Sequence, residues 1–171
     1  MGGVDCDNVD GDVHHHKEPR WLIDGIPSDQ ATDVWPSIWP TLKKAVDRAP
    51  AEIRMNKDQL FQEWSEGKRQ VWVIVNIPKQ ELAAVVMTSI IDAGKWFPDS
   101  LALEVPFVAG KGMRHWLEAL HRLLNSYGKH MGAQYMVGYG RKGWERMVKF
   151  KHIGYTDGGI RIMVRPIERL H

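Results

Sequence analysis

Cysteine is almost missing: Cys6 is the only one in 171 residues, which excludes an intramolecular disulfide framework and fits a chain made in a reducing cytosol. Long apolar runs are missing too. No segment approaches the roughly 20 residues of a membrane span, and the N-terminus lacks a basic-then-apolar secretion pattern. An excess of one charge is also absent, with 23 Lys and Arg against 21 Asp and Glu, a formal net charge of +2. So weak a field does not draw a chain to nucleic acid or to an anionic membrane. These absences predict a soluble protein of the cytoplasm. Tryptophan, in contrast, is abundant, at eight residues, and rings of that size point to core or interface packing. With 43% hydrophobic residues the chain is long enough for one core and too short for two domains.

Residues 1–17 divide from residues 18–171. The first segment holds four aspartates, three glycines and His14, His15 and His16, with Val4, Val9 and Val13 as its only aliphatic residues. It reads as a polar N-terminal arm that cannot order alone and must be held by a neighbouring chain or by its own domain, another chain being expected if the protein is part of an assembly. Three adjacent histidines on such an arm lack the fixed geometry of a metal site. A calcium loop with Gly11 at its sixth position would need an acid at Cys6 and at Lys17, so that pattern fails. His115 and His121, six apart, do not share a helix face. No metal is expected.

In the remainder, 20–26 predicts a strand, and Ser28 or Asp29 offers an N-cap. Trp35, Ile38, Trp39, Leu42 and Val46 mark one buried helix face, which Pro36 and Pro40 are expected to break or kink. A second helix starts at Asn56, with Gln59 at capping-box spacing, and stops at Gly67. The apolar runs 71–75 and 82–91 predict an antiparallel hairpin buried on both faces. A strand over 101–108 leads into Gly110-Lys111-Gly112, after which Met113, Trp116, Leu117, Leu120, Leu124 and Tyr127 trace an amphipathic helix. A strand over 134–139 follows. A final helix carrying Trp144, Met147 and Val148 is expected to end at Gly154, before a turn at Asp157-Gly158-Gly159 and a strand over 160–164. The basic residues Arg141, Lys142, Arg146, Lys149 and Lys151 fall on that helix, facing an acidic partner, a phosphate or solvent.

This order of elements resembles the GNAT superfamily of acetyltransferases, and two local segments agree. Pro106-Phe107-Val108-Ala109-Gly110-Lys111-Gly112-Met113 is similar to the coenzyme A loop of that family, and His152-Ile153-Gly154-Tyr155 to its closing Leu-Gly-Phe. An isolated Gly-Lys-Gly is more often an ordinary strand-to-helix turn; the surrounding order of elements carries the resemblance. It implies a single α/β domain with a mixed central sheet flanked by helices, and acetyl-CoA as cofactor. Val108, Gly110, Lys111, Gly112 and Met113 would then form the cofactor site, since glycines admit a pyrophosphate and amides at a helix start face it. Ala109 stands where the family commonly has arginine, and Phe107 and Arg114 are further departures.

Acetyl transfer to an amine needs a base for the amine proton and an acid for the leaving thiolate. The resemblance makes Glu104 the candidate base, on the strand before the loop; a carboxylate there can equally face solvent. The family's usual acid, a tyrosine, matches Phe150, leaving Tyr155, with Tyr139 and Tyr127, as substitutes. Gly140 to Arg146 with Gly154-Tyr155 is similar to GNAT-like proteins encoded by tailed bacteriophages, some of them virion components. Two functions follow: a virion or assembly component whose partners are virion proteins, passing from host cytoplasm to virion, and, as the alternative, an active N-acetyltransferase.

Overall fold

The computed structural model describes residues 20–140 and 149–167, so the arm over 1–17 and the helix expected around Trp144, Met147 and Val148 lie outside the described residues. Seven strands, β1 (Trp21–Ile26), β2 (Gln70–Asn76), β3 (Glu81–Asp92), β4 (Leu101–Gly110), β5 (Tyr135–Tyr139), β6 (Lys151–Tyr155) and β7 (Arg161–Pro166), form one mixed sheet in the order β1-β2-β3-β4-β5-β7-β6. Only β4 and β5 pair in parallel. Three helices flank it: α1 (Ala31–Arg48), α2 (Lys57–Ser65) and α3 (Met113–His130). The helix α3 crosses from β4 to β5, as a parallel pair requires. None of the described helices is long and apolar enough to cross a membrane.

The hydrophobic pattern distributes the helices between the two faces. Trp116, Leu117, Leu120 and Leu124 of α3 pack on Trp72, Ile74, Val86, Leu103 and Val105. Glu118 and Arg122 lie on its exposed side, so the helix phase is the one expected from the sequence. Replacing Leu120, 2% exposed, with alanine is expected to cost about 2 to 5 kcal/mol, read as a shift in urea midpoint at constant m-value. On the opposite face, Trp35, Ile38, Leu42 and Val46 of α1 join Leu60 and Trp64 of α2 over Val71, Val85, Met87 and Phe107. Trp35 stacks on Trp39 and leans on Phe61 and Trp64, so three tryptophans and a phenylalanine close this layer.

Three expectations need correction. The helix α1 runs unbroken through Pro36 and Pro40. Both prolines sit on its exposed side, where the carbonyls of Thr32 and Pro36, deprived of an amide donor, face water rather than core. The helical region starts as a 3-10 turn at Ser28–Gln30, and neither Ser28 nor Asp29 caps it through its side chain. Asn56 does cap α2, accepting from the Asp58 amide at 2.7 Å. Finally, no helix reaches Gly154: 151–155 is strand β6, with Lys151, Ile153 and Tyr155 exposed in alternation with His152 and Gly154. That is a period of two, not 3.6, and it places Lys151 on an edge strand rather than in a helical basic cluster.

Candidate active site

The site is organised by an irregularity in β4. Met87 pairs with Phe107 and Ser89 pairs with Glu104, so Val105 and Pro106 together oppose the single residue Thr88. This is a β-bulge, and a bulge is where proline, with no amide to give to a ladder, is tolerated inside a sheet. Thr88 is fixed beneath it: its hydroxyl accepts from Trp72 Nε1 at 2.9 Å and donates to Gln70 Oε1 at 2.9 Å. Immediately beyond the bulge the parallel ladder ends, the last pair being Val105 with Gly138. From Pro106 onward β4 continues to Gly110 without β5 beside it, and the sheet opens as a wedge.

A cleft of about 810 Å³ fills that wedge. Val108, Gly110, Lys111, Gly112 and Met113, all singled out in the sequence, line it, with Trp21 and the α1 residues Lys44 and Arg48. Among the described residues, four cations, Lys44, Arg48, Lys79 and Lys111, face one anion, Glu81. The start of α3 points into the same space, and the amides of a helix's first turn have no partner within the helix. The amide of Lys111 is already committed, however, donating to the Ala83 carbonyl at 2.9 Å. The donors free for an anion are therefore fewer than the loop pattern suggests.

The two loop glycines have different reasons to be glycine. A Cβ on Gly110 would lie 2.3 Å from the Ala83 carbonyl oxygen and 2.4 Å from Ala84 Cα, so this residue is required by the backbone of β3 rather than by a ligand. Gly110→Ala is expected to destabilise the fold by about 2 to 5 kcal/mol, from overpacking against backbone with a positive φ added. A thermal melt checks it. Gly112 adopts φ +76° at the N-cap of α3, a left-handed turn where a Cβ would meet the edge of Trp21 at 3.3 Å and Trp116 Nε1 at 3.7 Å.

A second cleft, of about 500 Å³, shares Ile53, Pro106 and Tyr139 with the first. Its lining includes Glu104, Tyr155, Glu52, Asp157, Lys95, Trp96 and Arg69. Glu104 is partly buried and held by two hydroxyls: Tyr139 donates to Oε2 at 2.7 Å and Ser89 to Oε1 at 3.4 Å. It does not stand out into bulk solvent. Burial, followed by the charge of Glu104 and this hydrogen bond, raises the Tyr139 phenol far above the usual tyrosine range, so the group stays protonated and acts as a donor. Glu52 accepts from the Thr156 hydroxyl and from the Gly158 amide, tying the α1–α2 connection to the β6–β7 turn. Arg69 is neutralised by Glu63 at 3.2 Å. Among the described residues, the remaining lining charges are three carboxylates against Lys95.

Among the substitute acids, geometry separates the three tyrosines. Tyr139 contacts Glu104 and borders both clefts. Tyr155 lines the second cleft but is 59% exposed, its ring against His152. Tyr127 packs edge-on against Trp72 under α3, away from both clefts. Phe150, at the position matched to the family's tyrosine, is 6% exposed within the α3 core layer. Ser89, Glu52, Asp157, Lys44 and Arg48 had no local sequence signal, because only the sheet register and the helix packing bring them here.

The architecture and this wedge define the class: the chain has the α/β fold of the GNAT acetyltransferases. Among solved structures, it resembles a GNAT-family acetyltransferase from Listeria monocytogenes (10% identity, TM-score 0.60, covering 85% of this chain and 94% of that one). It is similar at the same level to a polyamine N-acetyltransferase from Drosophila melanogaster (10%, 0.60, 85% and 99%) and to an N-acyl amino acid synthase from uncultured soil microbes (13%, 0.57, 88% and 91%). No protein-family model and no curated protein sequence matches the chain.

Proposed function

We propose that the chain is an N-acetyltransferase that takes acetyl-CoA in the first cleft and a cationic amine in the second. The observation that carries this reading is the pair of clefts of opposite charge meeting at Pro106 and Tyr139, with Glu104 on the amine side. A polyanionic nucleotide suits the cations Lys44, Arg48, Lys79 and Lys111, and an ammonium suits the carboxylate-rich second cleft. Val108, Gly112, Met113 and the cation of Lys111 would hold the nucleotide end, and the thioester would supply the activated acetyl group. Glu104 takes the proton that the amine must lose. When it does so, two of the four causes that raise the Tyr139 phenol disappear together, the charge of Glu104 and the bond to its carboxylate, leaving burial and the charge of Glu52. Tyr139 is then a stronger acid at the stage when the thiolate needs a proton. The name of the Drosophila neighbour, which gives a polyamine as its acceptor, supports a cationic substrate, and the demand for acetyl-CoA supports a cytoplasmic location.

A second reading, a component of a phage virion or its assembly that uses the fold as a packing module, is favoured by the burial of Phe150 in the core where the family has its acid. The test is calorimetric titration with acetyl-CoA, followed by measurement of free thiol released with a panel of amines. Saturable binding and amine-dependent thiol release are the expected results. The absence of both binding and release would overturn the enzymatic reading and leave the assembly reading.

A further inference from the structure

The β3–β4 connection, residues 93–100, is a compact excursion with a pinned base. The Ala93 amide donates to the Ser100 carbonyl at 2.8 Å, and the amides of Trp96 and Phe97 both donate to the Ala93 carbonyl at 2.9 Å. Phe97 stacks on Tyr135 of β5 with centroids 3.9 Å apart, so the excursion is anchored to the strand beside Glu104. It thereby sets Trp96 and Lys95 into the wall of the second cleft. Lys95 is exposed, and its ammonium lies over the Trp96 ring, 4.4 Å from the centroid. Among the described residues it is the only lysine lining that cleft.

The cleft assigned to the acceptor amine thus already contains a primary amine, attached to the chain and on the same side of the sheet opening as Glu104. Tethering replaces a bimolecular encounter by rotation of a side chain, which raises the effective concentration of the amine at the thioester. We infer that Lys95 is a site of self-acetylation, an inference that rests on the acetyltransferase reading of the same site. The ammonium first gives up one proton to solvent. The neutral Nζ attacks the acetyl carbonyl, the N–C bond forms as the C–S bond breaks, and the second proton passes to Glu104. Coenzyme A leaves as a thiolate and is protonated. The product is a neutral amide on Lys95, with no redox change. Loss of that charge leaves Glu52, Glu104 and Asp157 unopposed by a free cation of the wall, so the modified cleft attracts a cationic acceptor more strongly than the unmodified one.

The experiment uses the full chain with acetyl-CoA and no added amine, followed by intact-mass measurement and peptide mapping. One acetyl group on Lys95 is expected, appearing at a first-order rate independent of protein concentration and slowed by excess free amine. Lys95→Arg, which keeps a cation over the indole, abolishes the modification, and Glu104→Gln slows it by about tenfold or more. Acetyl groups scattered over surface lysines at the same rate in Glu104→Gln would sink the inference. So would an unmodified Lys95 in a chain that binds acetyl-CoA and acetylates free amines; the acetyltransferase reading then survives alone. If calorimetry shows no binding of acetyl-CoA, that reading itself fails and self-acetylation falls with it.

Discussion

Gly112→Asp is expected to abolish acetyl-CoA binding while leaving the domain folded. Gly112 lies at the N-cap of α3 with φ +76°, a conformation that aspartate tolerates better than most side chains, at a cost of about 1 to 2 kcal/mol. A Cβ at that position meets only side-chain atoms, the Trp21 edge at 3.3 Å and Trp116 Nε1 at 3.7 Å, and no backbone. An anion at the start of a helix also favours the helix dipole by about 0.3 to 1 kcal/mol, which offsets part of the strain. The fold should therefore survive. The ligand meets a different situation, because the new carboxylate stands where a pyrophosphate would approach the first turn of α3. Two like charges about 4 Å apart at a partly exposed site repel by about 4 kcal/mol, equivalent to roughly a thousandfold in affinity. Calorimetric titration should show no saturable heat under conditions that saturate the wild type, with an unchanged circular dichroism spectrum. Unaltered affinity in a folded variant would remove the anion site from the start of α3.

The contrast between Gly110 and Gly112 shows what was legible in the sequence. In the sequence both are glycines of one phosphate-loop pattern, and a local motif can carry no more. The sheet register then gives Gly110 to the β3 backbone and leaves Gly112 to the cleft, a distinction that depends on Ala83 and Ala84, more than 25 positions earlier. The face of α3, the β2–β3 hairpin and the cap at Asn56 were legible because each is written in short-range periodicity or in a single side chain. The continuity of α1 through Pro36 and Pro40 was not, since it depends on which side of the helix faces water. The strand at 151–155 was masked by a glycine that also suits a helix end. For the candidate site, Glu104 could be proposed from its place before the loop, and Tyr139 only as one of three tyrosines. Its selection required the parallel register that sets Glu104 beside Val137 and brings Tyr139, two residues on, to the same face.

Glu104→Gln is expected to lower kcat by about 10² to 10⁴-fold, the usual range for loss of a general base, with the affinity for acetyl-CoA and the KM for the amine nearly unchanged. Glutamine fills the same volume, and its carbonyl oxygen can still accept from Tyr139 or Ser89, which hold Glu104 at 2.7 and 3.4 Å. The geometry of the cleft is thus conserved, and what disappears is the capacity to accept a proton. An interaction used only as the amine loses its proton appears in kcat and kcat/KM together, not in ground-state binding. The removal of a negative charge weakens attraction for a cationic amine only modestly, because Glu52 and Asp157 remain in the lining. Tyr139→Phe provides the companion measurement. It leaves the carboxylate with Ser89, and should reduce kcat less than Glu104→Gln. The double variant should be slower than Glu104→Gln alone, since the phenol that remains in that variant is the proton donor to the thiolate. Steady-state assays with acetyl-CoA saturating and the amine varied read all three. A Glu104→Gln enzyme that retains kcat within about threefold of wild type would mean that the amine loses its proton elsewhere, and the assignment of Glu104 as the base would be withdrawn.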